Sequence, residues 1–316
     1  MNSPRTTTRR IGKLLAGLAA TAALFLFASA GSHAASAAPS TTAKTRYPIV
    51  LVHGMAGFDS ILGIDYFYQV PAELRKNGAV VYVASMSSFN DNTVRGEQLL
   101  KQMKEWAAAK GYTKFNLIAH SQGGPTARYV HGVAPDMVAS ITSVGSPHDM
   151  TAVQADNKLG DLLTNYSKVV AAFGSVIGWA SGNSKLPQDP AALQAWAADT
   201  AGFNARFPAG KPTTYCGQGA EKVGDTYFYS VTGNQPATNS LDISDAILAQ
   251  AGTSAGVPSD GLVPVCATHW GMVLRDDYPW NHLDEINQVL GLIGKGAPDP
   301  VAFYVQQAAR LKSKGL

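Results

Sequence analysis

The chain contains five short runs of residues that are mostly apolar and carry no charge. Continuous rather than alternating apolar runs are typical of parallel strands that are covered on both faces of a sheet. Between the second and third runs, Val94–Lys110 has apolar residues at helical spacing. Strands that alternate with helices predict an α/β fold with a mostly parallel sheet and right-handed crossovers. The five runs are Tyr47–Val52, Ala79–Ala84, Phe115–Ala119, Val138–Val144 and Thr226–Val231.

The segment Ala119–Gly124, with the sequence AHSQGG, follows the third run and precedes a helix-like stretch, Pro125–Val133. A small-x-Ser-x-Gly sequence between a strand and a helix is typical of a nucleophile elbow, whose sharp turn exposes the serine Oγ at the sheet edge. The turn requires small residues two positions either side of the serine, and Ala119 stands where glycine is usual. The pattern predicts Ser121 as the nucleophile of an α/β-hydrolase fold.

A serine nucleophile needs a histidine base, which follows it along the chain in this fold. His131 lies in the helix after the elbow, and His148 comes directly after the fourth strand, so neither is suitably placed. Of the two later histidines, His282 is preferred because it lies in a polar loop before the last helix. His269 remains the alternative.

The base in turn needs a carboxylate that orients it. Asp260 is preferred because it stands in a tight loop, beside Gly261 and before an apolar segment. Asp242 and Asp245 are competing candidates, and an Asp-Gly pair also occurs in simple turns.

Stabilisation of an oxyanion requires two backbone N–H groups aimed at the developing charge. We expect one from Gln122, which directly follows the nucleophile. The other is expected from Met55, because Gly54 at the end of the first strand allows the chain to turn toward the serine.

Residues 1–38 have the layout of a secretory signal peptide, so we expect a mature single domain of residues 39–316. The apolar run Leu14–Phe27 is short for a membrane anchor, which is the alternative. Four of the 25 basic residues and none of the 22 acidic ones lie in the leader, which leaves 21 against 22 and a net charge of −1. This balance provides no basic surface for nucleic acid. The leader's bases are Arg5, Arg9, Arg10 and Lys13.

The chain has two cysteines, Cys216 and Cys266. An even pair in an exported protein favours one disulfide, which would close a loop of about fifty residues. Two buried free thiols are the alternative.

Residues 151–208 interrupt the alternation of strands and helices. They are rich in Ala, Leu and Trp, and their apolar spacing predicts amphipathic helices inserted over the carboxyl edge of the sheet. We expect a mobile lid here, with Leu159–Ile177 as the moving element. Ordinary packing helices are the alternative.

Together these segments resemble the true lipases of Gram-negative bacteria, those of Pseudomonas and Burkholderia type that depend on a dedicated foldase. The resemblance runs from Tyr47 nearly to the C-terminus, and it departs from the family pattern at Ala119 and within 151–201. It is carried by Tyr47–Met55, Val94–Leu100, the elbow, Ser259–Val263 and Asn281–Glu285.

The resemblance implies that Ser121, Asp260 and His282 form the catalytic triad. It also implies a Cys216–Cys266 disulfide, a helical lid, a foldase partner during export and one bound calcium ion.

The family's calcium ligands fall on the carboxylates of Asp242 and Asp284 and on the carbonyl oxygens of Gln288 and Leu292. These are hard oxygen donors of the kind that calcium prefers. Inside an α-helix both carbonyl oxygens would accept backbone hydrogen bonds, so the segment after Asp284 must be irregular or lie at the end of a helix. Without the resemblance, an exposed aspartate at a helix start would be the simpler interpretation.

The expected function is therefore that of a secreted, calcium-dependent lipase that acts at a lipid–water interface. A short-chain carboxylesterase or a polyester depolymerase with the same triad is the nearest alternative. A catalytically silent binding protein is a third possibility, because fold alone does not determine function.

Overall fold

The computed structural model describes residues 40–58, 60–61, 64–155, 160, 164 and 186–316. These residues belong to one compact unit, Pro39–Leu316. The expected signal peptide 1–38 lies outside the described residues, as does the stretch 159–177 apart from Gly160 and Thr164.

The architecture is built on one seven-stranded sheet. Its strands are β1 Ile49–Val52, β4 Val81–Val83, β5 Phe115–His120, β6 Val138–Val144, β7 Lys222–Val223, β8 Thr226–Gly233 and β9 Met272–Tyr278, and β2 Ser60–Ile61 pairs separately with β3 Ile64–Asp65. The order in the sheet is β4-β1-β5-β6-β8, with all five strands parallel. On its other side, β8 pairs with β7 in an antiparallel hairpin and with β9 in parallel.

Eight α-helices lie in the described part of the chain. The longest, α2, begins where the Asp91 carboxylate accepts hydrogen bonds from the N–H groups of Thr93 and Val94, and it ends at Gly111 in the left-handed region. The helices are α1 Val70–Lys76, α2 Asn92–Lys110, α3 Gly123–Val133, α4 Thr151–Ala155, α5 Pro190–Ala198, α6 Thr200–Arg206, α7 Asp245–Ala255 and α8 Pro300–Ser313, and 3₁₀ turns occur at Pro135–Met137, Val265–Thr268 and Asp284–Ile286.

The sheet is covered on both faces, so its central strands β1, β5 and β6 are buried at every position. In β1, Ile49 and Leu51 pack in the cluster formed with α1 and α8, whereas Val50 and Val52 pack in the cluster formed with α2 and α3. Full burial of such a side chain stabilises the fold by roughly 1.5–3 kcal/mol. The predicted α/β-hydrolase architecture is confirmed.

Two details differ from the sequence-based expectation. The predicted strand Ala79–Ala84 is shorter, Val81–Val83, because it pairs at the sheet edge with β1 alone. The edge strand β9 was not predicted, because its sequence MVLRDDY is partly polar and half exposed. Within the described part of the chain, no helix combines the length and the apolar character needed to cross a membrane.

Candidate active site

Ser121 lies in the sharp turn between β5 and α3 at the carboxyl edge of the sheet. Its φ of 54° is in the left-handed region, which costs a non-glycine residue of order 1–3 kcal/mol and often marks a functional site. The Ser121 N–H donates to the Val144 carbonyl over 2.9 Å. A Cβ at Gly123 would collide with the Val52 carbonyl oxygen and lie 3.0 Å from that of His53. The elbow therefore needs a small residue at this position, as the sequence pattern required.

His282 and Asp260 form a buried, hydrogen-bonded pair. The Asp260 Oδ2 lies 2.7 Å from the His282 Nδ1. The other carboxylate oxygen, Oδ1, accepts the N–H groups of Leu262 and Val263 over 2.8 and 2.7 Å. The His282 backbone N–H also donates to the Asp260 carbonyl over 2.8 Å. The tight loop thus orients the carboxylate toward the imidazole.

The pair lies beside the nucleophile strand. The imidazole rings of His282 and His120 have centroids 4.5 Å apart, and His120 directly precedes Ser121. The structure therefore places the His282–Asp260 pair against the residue that precedes Ser121.

The competing candidates have other partners. His269 lies 3.1 Å from both the Gly217 carbonyl and an Asp276 carboxylate oxygen. Asp245 accepts the backbone N–H groups of Thr238 and Asn239, each over 2.6 Å, through one oxygen. These contacts hold His269 in the β9 region and Asp245 at the start of α7.

The loop predicted to supply part of the oxyanion hole passes directly beside the nucleophile. A Cβ built on Gly54 would lie 2.6 Å from the Ser121 Cβ, so only glycine fits there. Met55 follows in a turn that the next residue anchors, since the Ala56 N–H donates to the Ser88 carbonyl over 2.9 Å.

Gln122, the second predicted oxyanion donor, is fixed at the start of α3. Its side-chain Nε2 donates to the Asn90 carbonyl over 2.7 Å. Its own carbonyl accepts the Thr126 N–H over 3.2 Å.

Arg95 is a fully buried cation that braces the same loop, and sequence reasoning assigned it no role. Its Nη2 donates to the carbonyls of His53 and Gly54 over 2.6 and 3.2 Å. Its Nε donates to the Thr126 hydroxyl over 3.3 Å. Arg95 therefore links the oxyanion loop to α3, the helix that begins at the elbow. The only signal for it was its place in the segment Val94–Leu100.

Glu285 is a second residue that sequence reasoning did not single out at this site. Its Oε1 accepts from the Gly233 N–H and the Thr232 hydroxyl over 2.7 and 3.1 Å. Its Oε2 lies 3.3 Å from the His120 Nε2 and 3.9 Å from the His282 Nδ1. Burial and the charge of Asp260 raise the pKa of Glu285 well above its usual range.

His120, His282 and Glu285 offer ligand atoms within 4.8 Å of one another, so this group could hold a metal ion. Three of its four ring nitrogens, however, already have oxygen partners in the protein: Tyr66 and the His282 carbonyl for His120, and Asp260 for His282. We therefore interpret the group as part of the candidate active site.

Asp242 and Asp284 are two further carboxylates, and they lie close enough to interact electrostatically. Both carboxylates are buried, and their Oδ2 and Oδ1 atoms, respectively, lack a hydrogen-bond partner among the described residues. Burial first, and then the charges of Asp245 and Asp242, raises the pKa of Asp284 to about 7. Buried oxygens left without a donor are costly, and a cation would satisfy them.

The backbone after Asp284 is irregular, as two carbonyl ligands require. Asn287 and Leu290 have positive φ values of 59° and 55°. Within the described part of the chain, no hydrogen bond reaches the carbonyl oxygens of Gln288 or Leu292. The four predicted ligand residues therefore fit a calcium site.

Cys216 and Cys266 form a disulfide, with Cα atoms 4.3 Å apart. It joins the loop before β7 to the 3₁₀ turn that follows the Asp260 loop. The expected disulfide is thus present, and it contains both cysteines of the chain.

Comparisons with known proteins agree with this geometry. A family model described as the alpha/beta hydrolase fold matches residues 47–285. The chain is 46% identical over 306 residues to a triacylglycerol lipase of Vibrio cholerae, with 93% of this chain and 97% of the relative covered. It is 39% identical to a triacylglycerol lipase of Burkholderia plantarii, with 89% and 90% covered.

A solved structure supports the fold independently of close sequence similarity. The crystal structure of a Bacillus licheniformis lipase, BlEst2 in mature form, superposes with a TM-score of 0.52 at 17% identity, covering 76% of this chain and 86% of that one. Given the matched family model, the relatives that align along nearly their whole length and the geometry at Ser121, the chain belongs to the α/β-hydrolase family and, within it, to the bacterial triacylglycerol lipases.

Proposed function

We propose that the protein is a secreted lipase that hydrolyses the carboxylic esters of triacylglycerols by acyl transfer. The observation that carries the proposal is the buried His282–Asp260 pair, which lies beside a serine in a left-handed elbow. This arrangement is what a hydroxyl nucleophile needs in order to react near neutral pH.

In the first half of the reaction, Ser121 loses its proton to His282 as its Oγ attacks the ester carbonyl carbon. The resulting oxyanion accepts hydrogen bonds from the N–H groups of Met55 and Gln122. The protonated His282 then gives its proton to the departing alcohol oxygen, which leaves a fatty acyl ester on Ser121. In the second half, His282 deprotonates a water molecule as it attacks the acyl carbon. The protonated His282 then returns its proton to the departing Ser121 Oγ, and the fatty acid is released.

Asp260 sets the tautomer of the base. Its Oδ1 is occupied by two backbone N–H donors, so Oδ2 is the oxygen that accepts the Nδ1–H of His282. The Nε2 of His282 is then unprotonated and available to the serine, and the carboxylate stabilises the imidazolium that forms.

A calcium ion would be held by Asp242, Asp284 and the carbonyl oxygens of Gln288 and Leu292. When bound, it supplies positive charge to two buried carboxylates and has a structural role. Asp284 is two residues from His282, and its Oδ2 accepts the Asn281 N–H over 3.1 Å. A cation bound to Asp284 would therefore stabilise the loop that carries His282.

Three further parts of the proposal concern export, folding and access to the active site. Residues 1–38 direct export, and the disulfide is of the kind that forms in exported proteins. A dedicated foldase assists folding on the way out. A helical lid within 151–208 covers the site in water and opens at a lipid surface, which buries the apolar face that opening exposes.

The test is the hydrolysis of an emulsified long-chain triacylglycerol compared with a dissolved short-chain ester. A lipase should hydrolyse both, with the emulsion as the better substrate. Activity confined to the short-chain ester, or to a polyester film, would replace the proposal with an esterase or a polyester depolymerase. The purified mature protein with no activity on any ester would instead be a silent member of the fold.

A further inference from the structure

A continuous chain of hydrogen bonds joins the loop His53–Met55, here called the oxyanion loop, to the loop that carries His282, here called the base loop. The Gly54 N–H donates to the Tyr66 hydroxyl oxygen over 3.2 Å. The same hydroxyl lies 2.7 Å from the His120 Nδ1. The His120 Nε2 lies 3.0 Å from the His282 carbonyl oxygen. Three contacts therefore span from one side of the nucleophile to the other.

The chemistry at its two ends sets the direction of this chain. A backbone N–H can only donate, so the Tyr66 oxygen accepts from Gly54. A backbone carbonyl can only accept, so the His120 Nε2 carries the proton that reaches His282. Burial and the neighbouring His282 lower the pKa of His120 well below its usual range, which keeps the ring neutral. The Nδ1 of the neutral ring is then an acceptor, and the Tyr66 hydroxyl donates to it.

The chain passes through groups that are rigidly packed. Tyr66 and His120 are 7% and 1% exposed. The tyrosine ring packs edge-to-face with Phe58 and Phe67, with ring centroids 5.6 and 5.1 Å apart. His120 is the last residue of β5, the strand that leads into Ser121. A shift of either ring would move one of the two loops relative to the nucleophile.

Each end of the chain fixes an atom that matters to the reaction. Gly54 lies against Ser121 and immediately precedes Met55, whose N–H is assigned to the oxyanion hole. At the other end, the carbonyl of His282 is held by His120 and its N–H by Asp260. The base loop is therefore positioned from two directions.

We propose that Tyr66 and His120 are positioning residues that hold the oxyanion loop and the His282 loop in register with Ser121. The proposal rests on the roles assigned to Ser121 and His282 under the proposed function. Displacement of a reacting group by about 1 Å can cost on the order of 100-fold in rate. Loss of the chain should therefore lower kcat while binding of a small ester is retained.

The experiment compares Tyr66→Phe with Tyr129→Phe in the mature protein. Tyr129 is a matched control, since it is 9% exposed and its hydroxyl makes one 2.7 Å hydrogen bond, to Glu97, away from the site. With a dissolved short-chain ester, Tyr66→Phe should lower kcat by about 10- to 100-fold with KM within twofold of wild type. Tyr129→Phe should leave both constants within twofold, although both variants lose thermal stability.

Three substitutions of His120 test the two links separately. In His120→Asn, the amide oxygen replaces the Nδ1 acceptor and keeps the Tyr66 link. In His120→Gln, the amide nitrogen replaces the Nε2 donor and keeps the link to the His282 carbonyl. Both should retain more kcat than His120→Leu, which keeps neither link. A space-filling role would instead make leucine at least as good as either amide.

A kcat of Tyr66→Phe within twofold of that of Tyr129→Phe would overturn the proposal. Failure of His120→Leu to fold leaves the Tyr66 comparison decisive. Ser121→Ala separates this result from the proposed function. An active Ser121→Ala would overturn the assigned nucleophile, whereas an inactive one with normal Tyr66→Phe would overturn the positioning role alone.

Discussion

Replacement of Asp284 by asparagine should have opposite effects on stability with and without calcium. Asp284 is fully buried, and in the metal-free protein its pKa rises from 3.8 to about 7. Between about pH 4 and pH 7 the unfolded chain therefore loses a proton that the folded protein retains. An acid with a raised pKa stabilises the fold most at low pH, so the metal-free protein should become less stable as the pH rises through this range.

The size of the effect follows from the shift of about three pKa units. Each unit corresponds to 1.36 kcal/mol, so the metal-free protein loses up to about 4 kcal/mol by pH 8. Asparagine has nearly the same shape and no charge to bury, so Asp284→Asn avoids this loss. At about 2 °C per kcal/mol for a domain of this size, the variant should melt several degrees above wild type without calcium at pH 8. The difference in melting temperature between Asp284→Asn and wild type should shrink toward pH 4.

With calcium bound, wild type should instead melt at a higher temperature than Asp284→Asn. A ligand at one hundred times its Kd stabilises the folded state by about 2.7 kcal/mol, and the variant lacks one of the two carboxylate ligands. The assay is the melting temperature at pH 4, 6 and 8, with protein freed of metal and with millimolar calcium. Asp225→Asn is the control, because its side chain is 85% exposed. Equal responses of wild type and Asp284→Asn to calcium and to its removal would refute a site at Asp284.

Three further predictions concern the disulfide, the packing of Gly145 against the Glu285 carboxylate, and the lid. Replacement of Cys216 and Cys266 by serine opens a loop of 50 residues and should lower the free energy of unfolding, measured by denaturant titration, by about 4 kcal/mol. Unchanged stability would contradict it. Gly145→Ala should lower stability by about 1–3 kcal/mol, because a Cβ there overlaps the Glu285 carboxylate and the φ of 52° is unfavourable. A melting temperature equal to that of wild type would argue against this packing. Val170→Asp, in the expected lid, should weaken hydrolysis of emulsions more than of dissolved esters, and equal losses on both would remove the lid from the account.

The parallel core could be predicted because its signal is local. The central strands β1, β5 and β6 are buried on both faces, so their mostly apolar sequences, which do not alternate with charged residues, identify them. The edge strand β9 has no such signal, because its exposed positions carry Arg275 and Asp277. The nucleophile Ser121 was likewise predictable, since its turn imposes small neighbours within two residues.

The groups around the nucleophile could not be found in this way. Tyr66 and His120 are 54 residues apart, and His120 and His282 are 162 apart. Glu285 reaches the site because the 3₁₀ turn Asp284–Ile286 directs it against Gly145. Such contacts depend on how the strands are ordered, and no spacing along the chain reports them. His282 could be preferred over His269 because it lies in a polar loop before the last helix, but its partner in space is visible only in the fold.

Covalent labelling of the nucleophile tests the central claim most directly. An alkyl p-nitrophenyl phosphonate should react once per molecule, release one equivalent of p-nitrophenol and abolish hydrolysis of emulsified triacylglycerol. Peptide mass spectrometry should place the adduct on Ser121, and Ser121→Ala should neither react nor retain activity, with a loss on the order of 10⁶-fold in kcat. An adduct on another residue, or more than a few per cent of wild-type hydrolysis by Ser121→Ala with its fold intact, would contradict the account.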